Sequence, residues 1–163
     1  MTIAESFLRE FDAEMASTRR LLERVPADRM DWKPHTKSKS LRELAVHVTE
    51  LPRWGMRFDK ESFQVGGEPA PKMSSAAEFL ARFDENVSGG RAALARRTDE
   101  EMRSDFRVLK PNGETFFHGS RQALTRSVLL SHLIHHRGQL TVYLRLCDVP
   151  LPSVYGPTAD EPM

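Results

Sequence analysis

The sequence predicts an all-α protein, a four-helix bundle with a small hairpin or irregular insertion before the last helix. Leu, Ala and Arg are common and runs of β-branched residues are scarce, a composition that favours helices. Apolar residues recur at the helical period in four long segments. A chain of 163 residues can bury one core and is too short for two, so residues 1–163 are expected to form a single domain.

The first helix is predicted over Thr2–Glu23. Thr2 with Glu5 three residues later is a capping-box signature, and Pro26 ends the helical pattern. The polar segment 27–39 is expected to be a loop.

A second helix is predicted to begin at Ser40, which forms the same capping pattern with Glu43. Pro52 lies inside the helical pattern, so the helix either kinks there or ends and restarts through 54–63. The buried stripe, in which His47 lies, is expected to contain Leu41, Leu44, Val48 and Leu51.

The third helix is predicted from Ser74 or Ser75 to about Arg97, with Phe79 beside its core stripe and Gly89-Gly90 weakening its middle. The candidates for that stripe are Ala76, Leu80, Phe83, Val87 and Leu94.

The segment 105–118 breaks the helical rhythm. Its turn residues 111–113, Pro-Asn-Gly, predict a hairpin, and two strands alone are expected to pack on the helices without a core of their own. The last helix is predicted from about Ser120 to Cys147, and the tail 151–163 is expected to fold back onto the bundle.

His132 and His136 are the most informative residues of the last helix. Four residues is slightly more than one turn, so both imidazoles project from one face, about 6 Å apart along the axis. Two imidazoles in this arrangement can bind one transition-metal ion. His47 completes a three-nitrogen site if its helix packs against theirs.

The histidines also have simpler interpretations. A single histidine on an apolar face is more often a hydrogen-bonded core residue than a ligand, and only the combination of three favours a metal. His135 lies three residues from His132 and could replace His136 as its partner. His136 is preferred because it shares a face with Leu129, His132, Leu140 and Tyr143. His135 is then a flanking residue or a proton carrier near bound water.

Two further residues near these histidines attract attention. Glu50 follows His47 by three positions and could hold a ligand or act as a base, although an exposed charge is the expected role. Gly138 costs the last helix about 1 kcal/mol relative to alanine, which suggests close approach by another helix or chain.

The overall charge and the cysteine content exclude several classes of protein. With 24 Lys+Arg against 23 Asp+Glu there is no global attraction to nucleic acid or to anionic membranes. No stretch approaches the roughly 20 apolar residues of a membrane span. The lone Cys147 fits a reducing compartment, so a cytoplasmic protein is expected.

Three imidazoles leave coordination positions open. Closed structural zinc sites fill four positions with side chains, whereas open sites accept water or substrate. Nitrogen ligation suits Zn, Ni, Cu or Fe without choosing among them. Because imidazole binds metal only when deprotonated, affinity is expected to fall below about pH 6.5.

Four segments resemble the DinB/YfiT-like metalloenzyme family. They are His132-x-x-x-His136-Arg137-Gly138-Gln139, the upstream Leu44-x-x-His47, the loop 31–34 (DWKP) and the tail 150–161 (PLPSVYGPTADE). The resemblance implies a four-helix bundle with a long crossover, often a dimer, that carries a divalent metal, commonly nickel or zinc. The ligands it implies are His47, His132 and His136.

Known members of that family include thiol-dependent S-transferases and a thiol-dependent isomerase. The resemblance therefore implies a metal-dependent transferase that joins a low-molecular-weight thiol to a small electrophile, with a hydrolase also conceivable, in a homodimer. His135 and Arg137 are candidate catalytic residues, Arg137 as an orienter of an anionic substrate. The alternative is a non-catalytic helical module in which a metal serves stability or sensing.

Overall fold

Capping boxes begin helices α1 and α2 in the computed structural model, which describes residues 1–66 and 69–162. Helix α1 spans Ile3–Leu22, and Thr2 accepts a hydrogen bond from the Glu5 backbone N–H. Helix α2 spans Leu41–Glu50 and is preceded by the same exchange between Ser40 and Glu43. Both predicted starting points are confirmed.

The chain bends after α2. A 3₁₀ turn covers Leu51–Arg53, and a single helical turn, α3, covers Trp54–Arg57. The helix therefore ends and restarts at Pro52, which cannot donate to the α-helical ladder. The predicted restart through residue 63 is too long, because Ser62–Gln64 form a strand, β1.

Helix α4 spans Ala76–Ala95 and is capped by Ser75, as predicted. The buried face of α4 is rotated about the helix axis relative to the predicted one. Phe79 is fully buried, while Leu80 and Val87 are only partly buried. A buried polar contact accompanies this rotation: the Asn86 side-chain amide donates to the Thr49 carbonyl over 2.9 Å.

A close backbone approach explains the glycines of α4. A Cβ added to Gly90 would lie 2.3 Å from the carbonyl oxygen of Pro52. A Cβ on Gly55 would lie 2.8 Å from the carbonyl oxygen of Gly90. Helix α4 can therefore touch the bend after α2 only because both positions lack a side chain.

A three-stranded sheet replaces the predicted hairpin ornament. The short helix α5 spans Asp99–Arg103 and is followed by two strands, β2 (Asp105–Leu109) and β3 (Thr115–Ser120). These two strands pair antiparallel around the predicted turn, and β1 pairs parallel with β2. The fold is mostly helical with this small sheet, so the all-α prediction is correct only in part. The sheet has its own apolar cluster, formed by Phe58, Phe63, Phe106, Val108, Leu124 and Val128.

The last helix is continuous but not uniform. It consists of α6, Arg121–Leu124, a π-helical segment, Thr125–Ser131, and α7, His132–Leu146. The tail folds back as predicted: the Glu161 carboxylate pairs with the Arg20 guanidinium on α1. None of the helices described combines the length and the apolar character needed to cross a bilayer.

Alanine at Gly90 and at Gly138 is expected to have opposite effects on the free energy of unfolding. Gly90→Ala should lower it by about 1–3 kcal/mol, because the new methyl overlaps the Pro52 carbonyl. Gly138→Ala should raise it by up to about 1 kcal/mol, since a Cβ there meets no described atom within 4 Å. Urea denaturation followed by circular dichroism measures both. A loss of stability in Gly138→Ala would contradict the open surroundings and would favour close approach by a second chain.

Candidate metal centre

Three imidazoles from two helices meet at one point. The Nε2 atom of His132 lies 3.3 Å from Nε2 of His47 and 2.9 Å from Nε2 of His136. One ligand nitrogen from each ring lies within 4.8 Å of the other two. No fourth His, Cys, Asp or Glu joins this group within residues 1–66 and 69–162. The arrangement could form a three-nitrogen metal site.

The outer ring nitrogens face oxygen acceptors. Nδ1 of His136 lies 2.7 Å from Oε1 of Gln139, and Nδ1 of His132 lies 3.3 Å from the Val128 carbonyl oxygen. With the ring hydrogens on Nδ1, where these oxygens would accept them, both Nε2 atoms would present lone pairs to each other. Two lone pairs 2.9 Å apart repel unless a cation lies between them. The donor set therefore fits a metal, with outer partners that fix the ring orientations.

The electrostatics of the site favour neutral imidazoles. The pKa of His47 is lowered from 6.5 to about 4, chiefly by burial and then by the neighbouring His136, His132 and Lys39. Burial also lowers the pKa of His132 and of His136, against the opposing effect of the hydrogen bonds that their rings make to the Val128 carbonyl and to Gln139. Neutral rings are the form that binds a metal.

Packing of α2 on α7 brings the rings together. The histidines lie at the half-buried edge of two apolar stripes, so their rings reach the surface while the helices meet beneath them. Those stripes contain Leu44, Val48, Leu140 and Leu144. The π-helical segment ends at Ser131, directly before His132, and π turns are frequent at functional sites.

The two candidate catalytic residues are placed differently. His135 is exposed and its ring centroid lies 4.8 Å from that of His136, so it lies beside the triad without joining it. Arg137 points the other way: it is 2% exposed, and its Nη1 lies 2.5 Å from a Glu14 carboxylate oxygen and donates to the Glu14 carbonyl. The structure gives Arg137 no contact with the triad, because the next position on a helix faces about 100° away.

Glu50 is neither a ligand nor a freely solvated charge. Its carboxylate pairs with Arg53 and with Arg82, each over 2.8 Å, and accepts from Asn86. Burial alone would raise the pKa of Glu50, but the hydrogen bonds from Arg82, Arg53 and Asn86 outweigh it and lower the pKa. The cluster ties the end of α2, which carries His47, to α4.

Two pockets open onto the triad. One, of about 660 Å³, includes His47 in its wall, and we call it the basic pocket. The other, of about 500 Å³, includes His132 and His135, and we call it the apolar pocket. The charged residues of the basic pocket are Lys39, Arg42, Arg53, Arg57 and Lys72, with Glu43 and Glu50. The remaining wall of the apolar pocket is Trp54, Val65, Phe116, Phe117, Val128 and two serines.

Sequence reasoning found the three histidines and missed the pockets around them. The adjacent aromatics Phe116 and Phe117 were the available signal, since neighbouring strand residues face opposite sides and one of the two must lie outside a small core. The basic pocket had no such signal, because its charges come from segments that are distant in sequence.

Comparison with known proteins identifies the family. The sequence model of the DinB family matches residues 1–162. A curated relative from Bacillus subtilis strain 168, the uncharacterized protein YrdA, is 24% identical over 162 residues, covering 96% of this chain and 90% of the relative.

Solved structures share the fold. A DinB-like protein from Bacillus cereus ATCC 10987 superposes with a TM-score of 0.71 at 22% identity, covering 93% of this chain and 97% of that one. A DinB-like protein of Bacillus subtilis, YjoA, gives 0.69 at 20% identity, with 91% and 96% covered. A protein of the same family from Exiguobacterium sibiricum 255-15 gives 0.69 at 19% identity, with 94% and 97% covered.

Removal of any triad imidazole is expected to abolish tight metal binding. His47→Ala, His132→Ala and His136→Ala should each weaken Zn²⁺ or Ni²⁺ binding by more than about 100-fold, since loss of an outer partner alone costs about 10–100-fold. His135→Ala is the matched control, because this exposed neighbour lies outside the group. Calorimetric titration, with elemental analysis of protein purified without added metal, measures the effect. An equal loss in His135→Ala would contradict the assignment.

The metal-free protein is expected to lose stability as the pH falls from 6.5 to about 4. Over this interval the unfolded chain binds a proton at His47 and the folded chain does not. That contribution is present above pH 6.5 and lost as the pH falls through the interval. The lowered pKa values should also move the loss of metal affinity below pH 6.5.

The control for this pH dependence is His47→Gln, which removes the titrating ring but keeps a polar side chain. Urea denaturation midpoints measured between pH 7 and pH 4 should fall less steeply in this variant than in the wild type. Identical slopes for the two proteins would show that His47 titrates alike in the folded and unfolded states.

Proposed function

We propose that this chain, which belongs to the DinB family, is a metal-dependent enzyme that transfers a small thiol to an electrophile. The observation that carries the proposal is access: two members of the half-buried triad, His47 and His132, each line a pocket. A metal that served only stability would be expected in a closed site with four protein ligands. Here the described residues supply three.

His47, His132 and His136 would hold a divalent ion such as Zn²⁺ or Ni²⁺. When bound, such an ion supplies positive charge that favours the thiolate over the thiol. Gln139 and the Val128 carbonyl keep the ring hydrogens on the outer nitrogens, so the inner nitrogens stay available.

The charges of the basic pocket support a carboxylated thiol as co-substrate. Among the described residues that line it, five are basic and two are acidic, and His47 lies in the same wall. Arg53 is already paired with Glu50, so the proposal rests on Lys39, Arg42 and Lys72. Cysteine and glutathione each carry at least one carboxylate at neutral pH, because the pKa of an α-carboxyl group is about 3.5. The carboxylate of such a thiol would be attracted to the basic wall while its sulfur reaches the histidines.

In the reaction the thiol releases its proton and the sulfur forms a bond to an electrophilic carbon. A leaving group departs with its electron pair, or an epoxide or quinone oxygen takes the pair and then a proton. His135 lies beside the triad and is exposed, so it can exchange protons with solvent during this step. Arg137 has no part in it, since its guanidinium is committed to Glu14.

Metal-loaded protein is expected to join thiols to epoxide, quinone or chloro-arene electrophiles. Cysteine and glutathione should be better substrates than 2-mercaptoethanol, which lacks a carboxylate for the basic pocket. Product formation is measured by mass spectrometry, with the His132→Ala variant as the control for uncatalysed reaction. Turnover no faster than in His132→Ala would reject the transferase and leave a metal-binding module without catalysis.

A further inference from the structure

The apolar pocket differs in chemistry from the basic pocket. Its wall consists of aromatic and aliphatic side chains, two serines, and the histidines His132 and His135. Among the described residues that line it, none is Lys, Arg, Asp or Glu. Its volume of about 500 Å³ falls in the range of small-molecule sites. A charged ligand would lose its hydration there without gaining an opposite charge.

An irregularity in the sheet builds the outer wall of this pocket. Val108 pairs with Phe117 and Leu109 pairs with Thr115, so Phe116 is an extra residue in β3, a β-bulge. Consecutive strand residues normally face opposite sides, yet here both phenyl rings line the pocket, with centroids 4.2 Å apart. Bulges of this kind re-aim side chains and are frequent beside active sites.

The inner wall is packed against other aromatic rings, whereas the outer wall is exposed. Trp54 packs edge-on against Phe63 at 4.8 Å, and its ring lies 6.3 Å from that of His132. Phe116 and Phe117 are instead 51% and 39% exposed, although phenyl groups are ordinarily buried. The two exposed phenyl rings and the indole line the same cavity and offer aromatic surface to a flat ligand.

We propose that the apolar pocket binds the electrophilic substrate and that this substrate is an uncharged small molecule with an aromatic ring. The assignment of the ligand as the electrophile rests on the proposed transferase function, while the preference for an uncharged ring rests on the pocket alone. The two pockets then separate the reactants by charge: the anionic thiol lies on the His47 side and the apolar acceptor on the His132 side.

Trp54 makes the proposal measurable without catalysis. The chain has two tryptophans, so Trp32→Phe leaves Trp54 as the only indole. Nitrobenzene, an uncharged and unreactive aromatic quencher, should quench Trp54 fluorescence with a saturable curve. In the metal-free protein, its charged analogue 4-nitrobenzoate should bind at least about tenfold more weakly, since none of the described residues that line the pocket is Lys or Arg.

Three further variants in the Trp32→Phe background locate the binding. Phe116→Ala should weaken nitrobenzene binding about tenfold, because one aromatic wall is lost. Ser127→Phe should abolish it, because the exposed Ser127 lines the pocket and a phenyl group would fill it. Leu146→Ala is the matched control: Leu146 is 56% exposed on α7, lies outside the pocket and should have no effect.

Linear, unsaturable quenching that is equal in all variants would overturn the proposal, and so would equal binding of 4-nitrobenzoate. The outcome is separable from that for the transferase. Saturable binding that depends on Phe116, without thiol transfer, would support the proposed ligand of the apolar pocket and reject the transferase activity. Thiol transfer with an unchanged KM for the electrophile in Phe116→Ala would support the transferase activity and reject the apolar pocket as the site of the electrophile.

Discussion

The contact between α2 and α7 is the interaction on which the site depends. Leucine and valine side chains of both helices are removed from water beneath the histidines, and each such burial contributes about 1.5–3 kcal/mol. That stabilisation offsets the cost of holding three neutral ring nitrogens within 4.8 Å of one another. The apolar packing fixes the distance between the helices, and the distance fixes what the rings can bind.

A second constraint lies at the bend after α2. Because Gly90 and Gly55 lack side chains, α4 contacts the backbone of the bend, and the chain turns there into α3. This turn brings Trp54 between the bundle core and the apolar cluster of the sheet, where it contacts both. The wall of the apolar pocket is thus a consequence of how two stretches of backbone meet.

Local signals in the sequence predicted much of the fold. The capping residues Thr2 and Ser40, the break at Pro52 and the turn at 111–113 each act over a few residues, and each is confirmed. The strand Ser62–Gln64 escaped prediction because three residues carry no usable period, and its pairing with β2 joins segments more than 40 residues apart. The bulge at Phe116 likewise depends on a partner strand.

The candidate site likewise has a part that local sequence signals predict and a part that depends on how the helices pack. The spacing of His132 and His136 is a property of one helix and could be predicted, and the convergence of His47 with them required the packing to be known. Arg137 shows the limit of a motif: its position beside His136 suggested a role in binding, but the helical rotation turns it into the core. The buried face of α4 differs from the predicted one for a related reason, since the Asn86 side chain donates a hydrogen bond to the backbone of another helix.

The ion pair between Arg137 and Glu14 has a consequence for the neighbouring ligand. Arg137 is held from one side by Glu14 and from the other by the Tyr155 ring, 4.9 Å from the guanidinium carbon, while the Tyr155 hydroxyl donates to Glu14. Rotation of α7 about its own axis would separate a buried charge from its counterion. His136 therefore has a fixed angular position, and the coordination sphere is preorganised by a charge on the far side of the same helix.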